Sequence, residues 1–518
     1  MEKKKLAIIA SRLKCADSIC IESEKWIDKY IALGYDVHLV CGKLGEPTAL
    51  KTCIIPELDN RHAEVRGLKR ILFTAVLDKA GKKATQMMLE NLQNRIKQPL
   101  KKYLVQNKIE LLSVENILAD ASNLSLALAV VDVISELGLP TISRYHHFYW
   151  DNSYFTKRGN VDKILGSLPP DARTIVHVTN TETAREKLQE KRKLRSVLIP
   201  HTFNLAKIQG IDDYNKDFRR EFGIRDDQIL FLQPTLIKRR KCIEKSLRLV
   251  HEINEITKKD HVLMISGPPV YSKGNYFEEI ARKMKKMNVN VIFASDLISF
   301  DRHIANPKEK NGEGKDGDTK GEVKSYSIWD AYVHADIVIY PTASTSFGNP
   351  VIESIAHKKP VVVNKYPNLG EIAGKGFSLI VLDQKITPEI ISDTYEILMD
   401  ADKRREMVEK NFELLKTHYS TDILDDRLVE ILNSFEHESF IHRITKIIPK
   451  RFPKIHIPRP YDVWKRRSSQ SGLKANQPLY STNNQKANKE ESPKQEVEQD
   501  LHADLKNKKG GYKEMPKQ

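Results

Sequence analysis

A chain of 518 residues has room for two to four domains. Lys and Arg total 85 against 69 Asp and Glu, a formal charge of +16, with 40% hydrophobic and 30% charged residues. That balance excludes a chain disordered throughout, and no window approaches the ~18 uninterrupted apolar residues of a membrane-spanning helix. Cys15, Cys20, Cys41, Cys53 and Cys242 are odd in number and lack metal-ligand spacing. They predict reduced thiols, a cytoplasmic setting and no disulfide framework.

The N-terminus has a basic start, but its apolar run Leu6 to Ala10 is too short for a signal peptide and reads as a first buried strand. Ile21 to Leu33 has helical spacing, and Val37 to Cys41 is the next strand. Leu111 to Val114, the helical Leu124 to Leu137, Pro140 to Ser143, Thr174 to Val178 and Ser196 to Ile199 continue the alternation. A similar series starts at Ile229 to Leu232. It continues through helix 242–256, strand His261 to Ser266, helix 275–287, strands Val289 to Phe293 and Ala335 to Tyr340, helix 350–357 and strand Pro360 to Asn364. Short apolar strands alternating with amphipathic helices predict an α/β protein of two doubly wound, Rossmann-like domains, 1–203 and 204–436.

Two stretches stand apart. Residues 306–325 are charged, Gly-rich and without periodicity, and predict a mobile insertion. From 468 to 518 polar residues dominate and predict a disordered tail. Between them, 437–467 is basic: residues 441–470 carry nine Lys/Arg against Asp462, interleaved with Phe452, Tyr461 and Trp464. Cations alternating with aromatics at 441–467 suit an anionic membrane surface. Nucleic acid is not expected, since no recognition motif accompanies the run.

Phosphate-loop, dinucleotide, hydrolase-elbow and zinc-helix motifs are all missing from the sequence. His146 and His147 are adjacent, the wrong spacing for two ligands on one helix face, and no metal site is expected. The informative stretch is Tyr340 to Pro367. A strand ends at Tyr340, a loop holds Thr345 and Phe347-Gly348-Asn349, and Pro350 suits the first position of a helix. The glycine lets backbone approach a ligand, and the helix N-terminus offers N–H donors to an anion. Glu353, in the first turn, can accept from sugar hydroxyls.

This segment resembles the E-x7-E signature of the retaining family-4 glycosyltransferases of GT-B fold, and the similarity extends over roughly 6–435. It is most similar to a branch related to mannosylglucosylglycerate synthases. The ordered matches are Ser11-Arg12-Leu13 with Asp17, Glu22 to Trp26, Val114 to Asn116, Arg144 to Trp150, Leu232 to Thr235 with Arg240-Lys241, and Tyr326 to Tyr332. The resemblance implies two domains facing a cleft and a nucleotide-diphosphate sugar as co-substrate, without a further cofactor. It implies that Lys241 neutralises the leaving diphosphate and that His146 contacts the donor sugar. It also implies that Glu353 holds the ribose, with Arg240, Thr345, Phe347, Gly348 and Asn349 around the donor. Arg12, Asp17 and Trp150 are acceptor-side candidates.

Departures cluster at ligand positions. Thr345 stands for the first glutamate of E-x7-E, Leu236 for an arginine, His147 for an aspartate, and His201 falls in the I-P-N stretch. The expected activity is transfer of a hexose to a hydroxyl acceptor with retention and without a metal, by an enzyme peripheral at a membrane. The alternative is a catalytically impaired subunit that binds a sugar nucleotide or a partner glycosyltransferase.

Overall fold

A computed structural model describes residues 3–15, 18–156, 161–270, 275–299, 302–305 and 323–445. The first sheet has seven parallel strands: β1 (Lys5–Leu13), β2 (Asp36–Leu44), β3 (Lys51–Ile54), β4 (Leu111–Glu115), β5 (Thr141–Tyr145), β6 (Ile175–Thr179) and β7 (Val197–Leu198). Their order is β3-β2-β1-β4-β5-β6-β7, so the strand sequence reverses beside β1. Leu6, Ala7, Ile8 and Ile9 are all fully buried, as expected of a central strand covered on both faces. Helix α1 (Ser18–Ala32) follows β1, α2 (Leu124–Leu137) follows β4 and α3 (Glu182–Arg192) follows β6. α2 stops at Gly138, whose positive φ of 63° ends the helix in the left-handed conformation.

The second sheet holds β8 (Leu230–Gln233), β9 (Val262–Ile265) and β10 (Asn290–Phe293). A small three-stranded sheet then intervenes, from β11 (Ile298–Ser299), β12 (His303–Ala305) and β13 (Val323–Ser327). The main sheet resumes with β14 (Ile337–Tyr340), β15 (Val361–Asn364) and β16 (Ile380–Leu382), in the order β10-β9-β8-β14-β15-β16. Along β8 the side chains alternate between two cores: Leu230 and Leu232 enter one, Phe231 the other. That two-residue period on a doubly covered strand defines the α/β layering. Helices α4 (Ile243–Thr257), α5 (Ile328–His334), α6 (Asn349–Ala356) and α7 (Leu369–Ala373) accompany this sheet.

The last described helix, α8 (Thr421–Thr445), buries Leu424, Leu428 and Ile431 in the core of the first sheet. The range 204–436 expected for the second domain therefore contains a helix that packs on the first. Its final turns reach into the basic extension, so 437–445 is helical. The rest of that extension and the tail 468–518 lie outside the described residues. So does the expected insertion, except for residues 323–325, which enter β13. One expectation is corrected: Cys15 and Cys20 are joined in a disulfide, leaving Cys41, Cys53 and Cys242 as free thiols. The loop between β1 and α1 brings the two sulfurs together, a proximity that residue counting did not reveal. Among the described residues, no helix is long and apolar enough to cross a membrane.

Candidate active site

Both parallel sheets end their carboxyl edges in ligand-type residues, the position where open α/β sheets bind substrates. After β8 the chain passes Leu236 and makes a 3-10 turn, Arg239–Lys241. Gly267, after β9, lies so close that a Cβ there would meet the Leu236 backbone at 2.8 Å. The Lys241 ammonium lies over the Tyr340 ring, 5.1 Å from its centroid. Burial, then repulsion from Arg240 and Lys238, pushes its pKa down to about 7, with Glu353 opposing. Arg240 donates from one guanidinium nitrogen to the Ser344 carbonyl at 2.9 Å and accepts at its own carbonyl from Ala343 N–H at 3.0 Å. The cationic turn is thus tied to the loop after β14.

That loop is built from below. Phe347 is buried against His201 and Tyr419, and its carbonyl accepts from the Tyr366 hydroxyl at 2.8 Å. Gly348 has φ +98°, and a Cβ there would run into the Tyr366 hydroxyl. Only glycine fits both demands. Asn349 and Pro350 then open α6. Glu353 accepts from the Tyr332 hydroxyl at 2.7 Å, and burial raises its pKa although that hydrogen bond opposes. A lysine and a glutamate both held toward neutrality mark a pocket where desolvation outweighs their mutual attraction.

The first domain supplies histidines. Asn116, with φ +51°, accepts from the backbone N–H groups of His146 and His147 at 2.9 and 3.2 Å and so fixes the turn after β5. His146 is buried: its Nδ1 meets Nε2 of His201 at 3.1 Å and its Nε2 lies 3.7 Å from Glu115. His201 Nδ1 in turn donates to Asn349 Oδ1 of the second domain at 2.7 Å, and burial pushes the His201 pKa down to about 4. Both ring nitrogens of His146 therefore face protein groups. His147 is the more open imidazole, with 43% of its side chain exposed, and Asp120 at 3.8 Å helps to raise its pKa against the effect of burial. Sequence reasoning listed His201 only as a departure. The signal was there, a histidine beside a proline at a strand end, but its two partners come from distant segments.

The structure brings Lys241, Arg240, Thr345, Phe347, Gly348, Asn349 and Glu353 to one loop cluster of the second sheet. Arg12 lies near the end of β1 with its Nε 3.9 Å from Asp59. Trp150 stacks on Phe148, ring centroids 4.5 Å apart and planes nearly parallel, after β5. Asp17 lies outside the described residues.

Comparison with known proteins bears on the fold and on the class of enzyme. A family model described as glycosyl transferases group 1 matches residues 309–414. The chain is 25% identical over 458 residues to a mannosylglucosylglycerate synthase of Thermotoga maritima, covering 82% of this chain and 98% of the relative. Its likeness to the Petrotoga mobilis synthase is 25% over 398 residues, covering 73% and 87%. Among solved structures, a Rickettsia africae glycosyltransferase matches with TM-score 0.55 at 12% identity, covering 83% of this chain and 98% of that one. Anabaena HepE in complex with UDP matches with TM-score 0.54 at 11% identity, covering 83% and 100%. The fold is GT-B, two parallel-sheet α/β domains. The chain is a glycosyltransferase enzyme.

Proposed function

We propose that this enzyme transfers a hexose from a nucleotide-diphosphate sugar to a hydroxyl acceptor with retention, in the manner of family 4. The carrying observation is Lys241, a desolvated cation with its pKa pushed down to about 7, beside Glu353 and near the start of α6. Departure of a diphosphate is the electrostatic problem of such a transfer, and a fixed cation in a low-dielectric site is the remedy. The first-turn N–H groups of α6 add a partial positive charge. Glu353 would accept from ribose hydroxyls, and the Phe347-Gly348-Asn349 backbone would lie along the donor. HepE binding UDP supports a uridine donor. In the retaining mechanism the acceptor attacks on the face that the diphosphate leaves, and a phosphate oxygen takes its proton. A protein base and a metal are then both dispensable.

The acceptor would enter on the side of Arg12, Asp17 and Trp150, with His147 as an added candidate. Segment 441–467 would dock the enzyme on an anionic membrane face. Calorimetry with UDP-, GDP- and ADP-sugars, followed by product analysis with and without a chelator, tests the reading. Binding with turnover supports it. Binding without turnover favours a subunit that serves a partner glycosyltransferase, and no binding removes both.

A further inference from the structure

Gln233 is the last residue of β8 and is fully buried. Glutamine prefers the surface, and the three residues before it, Leu230 to Leu232, are apolar. A buried primary amide must find protein partners for its acceptor oxygen and its two N–H donors. All are placed here. Nε2 donates to the Lys241 carbonyl at 3.0 Å and to the Thr235 hydroxyl at 3.2 Å, and Oε1 accepts from the Ser246 hydroxyl at 2.7 Å. The Lys241 carbonyl can only accept, so it must face the amide nitrogen, which leaves the oxygen for Ser246. Ser246 is also fully buried, near the start of α4. One amide thus joins β8, the cationic turn and α4.

The turn needs such a tie. Cys242, which follows Lys241 and opens α4, has φ +49° and makes no side-chain capping hydrogen bond. A left-handed conformation at a residue other than glycine is costly and persists only where neighbours hold it. Arg240, on one side of Lys241, is held by Ala343 and Ser344 of the loop after β14. Gln233 holds Lys241 itself, from β8. The Lys241 ammonium stays over the Tyr340 ring only while the backbone beneath it keeps its place. Its stem is long and flexible, so a turn that loosens lets the ammonium reach water.

We infer that Gln233 is a positioning residue for the donor site: it fixes the Lys241 carbonyl and thereby the place of the Lys241 ammonium, while Ser246 fixes Gln233. Being fully buried, Gln233 touches no ligand and acts through Lys241 alone. The inference rests on the reading of Lys241 as the cation that meets the diphosphate.

The test uses the full-length protein and reads Lys241 directly. Competitive acetylation across pH, with the Lys241 peptide quantified by mass spectrometry, gives the midpoint at which its amine titrates. Gln233→Met keeps the length of the side chain and removes its donors. The midpoint should then rise by about one unit or more from its value of about 7, because a loosened ammonium regains water. Calorimetry at pH 6.5, where the ammonium is mostly charged in both proteins, should show UDP affinity lower by about tenfold, the effect of a misplaced contact. Uridine affinity should hold. In the Lys241→Ala background the same substitution should cost less than about twofold, since a residue that acts through Lys241 has nothing left to act on. A glutamine that only supported the core would lower the melting temperature and leave these readouts alone. If Gln233→Met does not fold, Ser246→Ala leaves the amide unanchored and should raise the midpoint in the same direction. Two results each overturn the proposal: an unmoved Lys241 midpoint in a folded variant, or an equal loss of UDP affinity with and without Lys241. A native protein that binds no UDP refutes the diphosphate reading instead, and the midpoint still decides the role of Gln233.

Discussion

Glu371 of the second domain caps a helix of the first through Thr183. Its carboxylate accepts from the Thr183 hydroxyl and N–H at 2.7 and 2.9 Å and from the Glu182 N–H at 2.7 Å. Thr181 already serves the Ala184 N–H, so Glu371 satisfies donors of α3 that would otherwise need water. An anion at a helix N-terminus is favoured in its own right. With the His201–Asn349 hydrogen bond, this contact ties the start of α6 and helix α7 to the first domain. Glu371→Ala should cost about 1.5–3 kcal/mol of interdomain contact, the range for charge-assisted hydrogen bonds. Small-angle scattering should then show a more open particle and calorimetry a weaker UDP complex. An unchanged particle with unchanged affinity would remove the latch.

The two layered domains were legible in the sequence because buried parallel strands contain continuous apolar runs, here Leu6 to Ala10 in β1, Leu230 to Leu232 in β8 and Ile337 to Tyr340 in β14. The loop between β14 and α6 was legible because Gly348 and Pro350 carry backbone constraints that leave a mark in the sequence. The Glu371–Thr183 contact was not, since it joins residues 188 apart through groups that look like ordinary surface. Nor was the engagement of His146, which depends on His201 arriving from another strand end. The Cys15–Cys20 pairing escaped for a different reason: the two are only five residues apart, and an odd, scattered set of cysteines does not announce a local pair.

Lys241 gives a pH signature. In the empty site its pKa is pushed down to about 7, so above that pH the amine is mostly neutral. A bound diphosphate favours the ammonium and raises the pKa. Binding should therefore take up a proton, and affinity should fall by up to about tenfold per pH unit above 7 until the raised value is reached. At pH 8 the calorimetric heat should vary with buffer ionisation enthalpy. Lys241→Ala should abolish that dependence and weaken UDP by roughly 1.5–3 kcal/mol, while changing uridine binding far less. Heat independent of buffer in the native protein would contradict the assignment.

Gly348 should tolerate no side chain. Alanine at φ +98° adds strain of roughly 1–2 kcal/mol, and its Cβ would displace Tyr366 from the Phe347 carbonyl. Gly348→Ala is expected to lower the melting temperature by several degrees and to weaken UDP strongly. By contrast, Gly370→Ala has open space around the new Cβ and should be nearly silent. Equal effects at the two glycines would argue against the close approach at 348.

Acid should unfold the protein early. Burial pushes His177, His201 and His357 down to about 4 from an ordinary value near 6.5. The unfolded chain then binds more protons than the folded one between those values, so stability is complete above pH 6.5 and declines as pH falls toward 4. Melting temperatures between pH 7.5 and 4.5 should trace that decline. His177→Gln, which removes a titrating group while keeping a polar partner for the Tyr145 hydroxyl, should flatten it. A pH-independent melting curve for the native protein would refute the account.

Leu236 and Thr345 test whether the enzyme is impaired or retuned. Leu236 is 43% exposed beside the cationic turn, so an arginine there can reach the diphosphate without disturbing a core. Thr345 sits in the loop held by Arg240, where a glutamate would restore a carboxylate facing the donor sugar. In an impaired enzyme, Leu236→Arg with Thr345→Glu should raise UDP-sugar hydrolysis about tenfold or more, since each group contributes a charge-assisted contact to the departing donor. In an enzyme tuned to a different ligand, the same pair should lower turnover of its own donor, because a new carboxylate must be desolvated in a pocket that already raises the Glu353 pKa. The single substitutions separate the causes: Leu236→Arg alone should tighten UDP, and Thr345→Glu alone should leave UDP affinity unchanged and alter sugar preference. If Leu236→Arg leaves UDP affinity unchanged in a folded protein, the diphosphate does not lie at this turn, and the donor site must be sought elsewhere in the cleft.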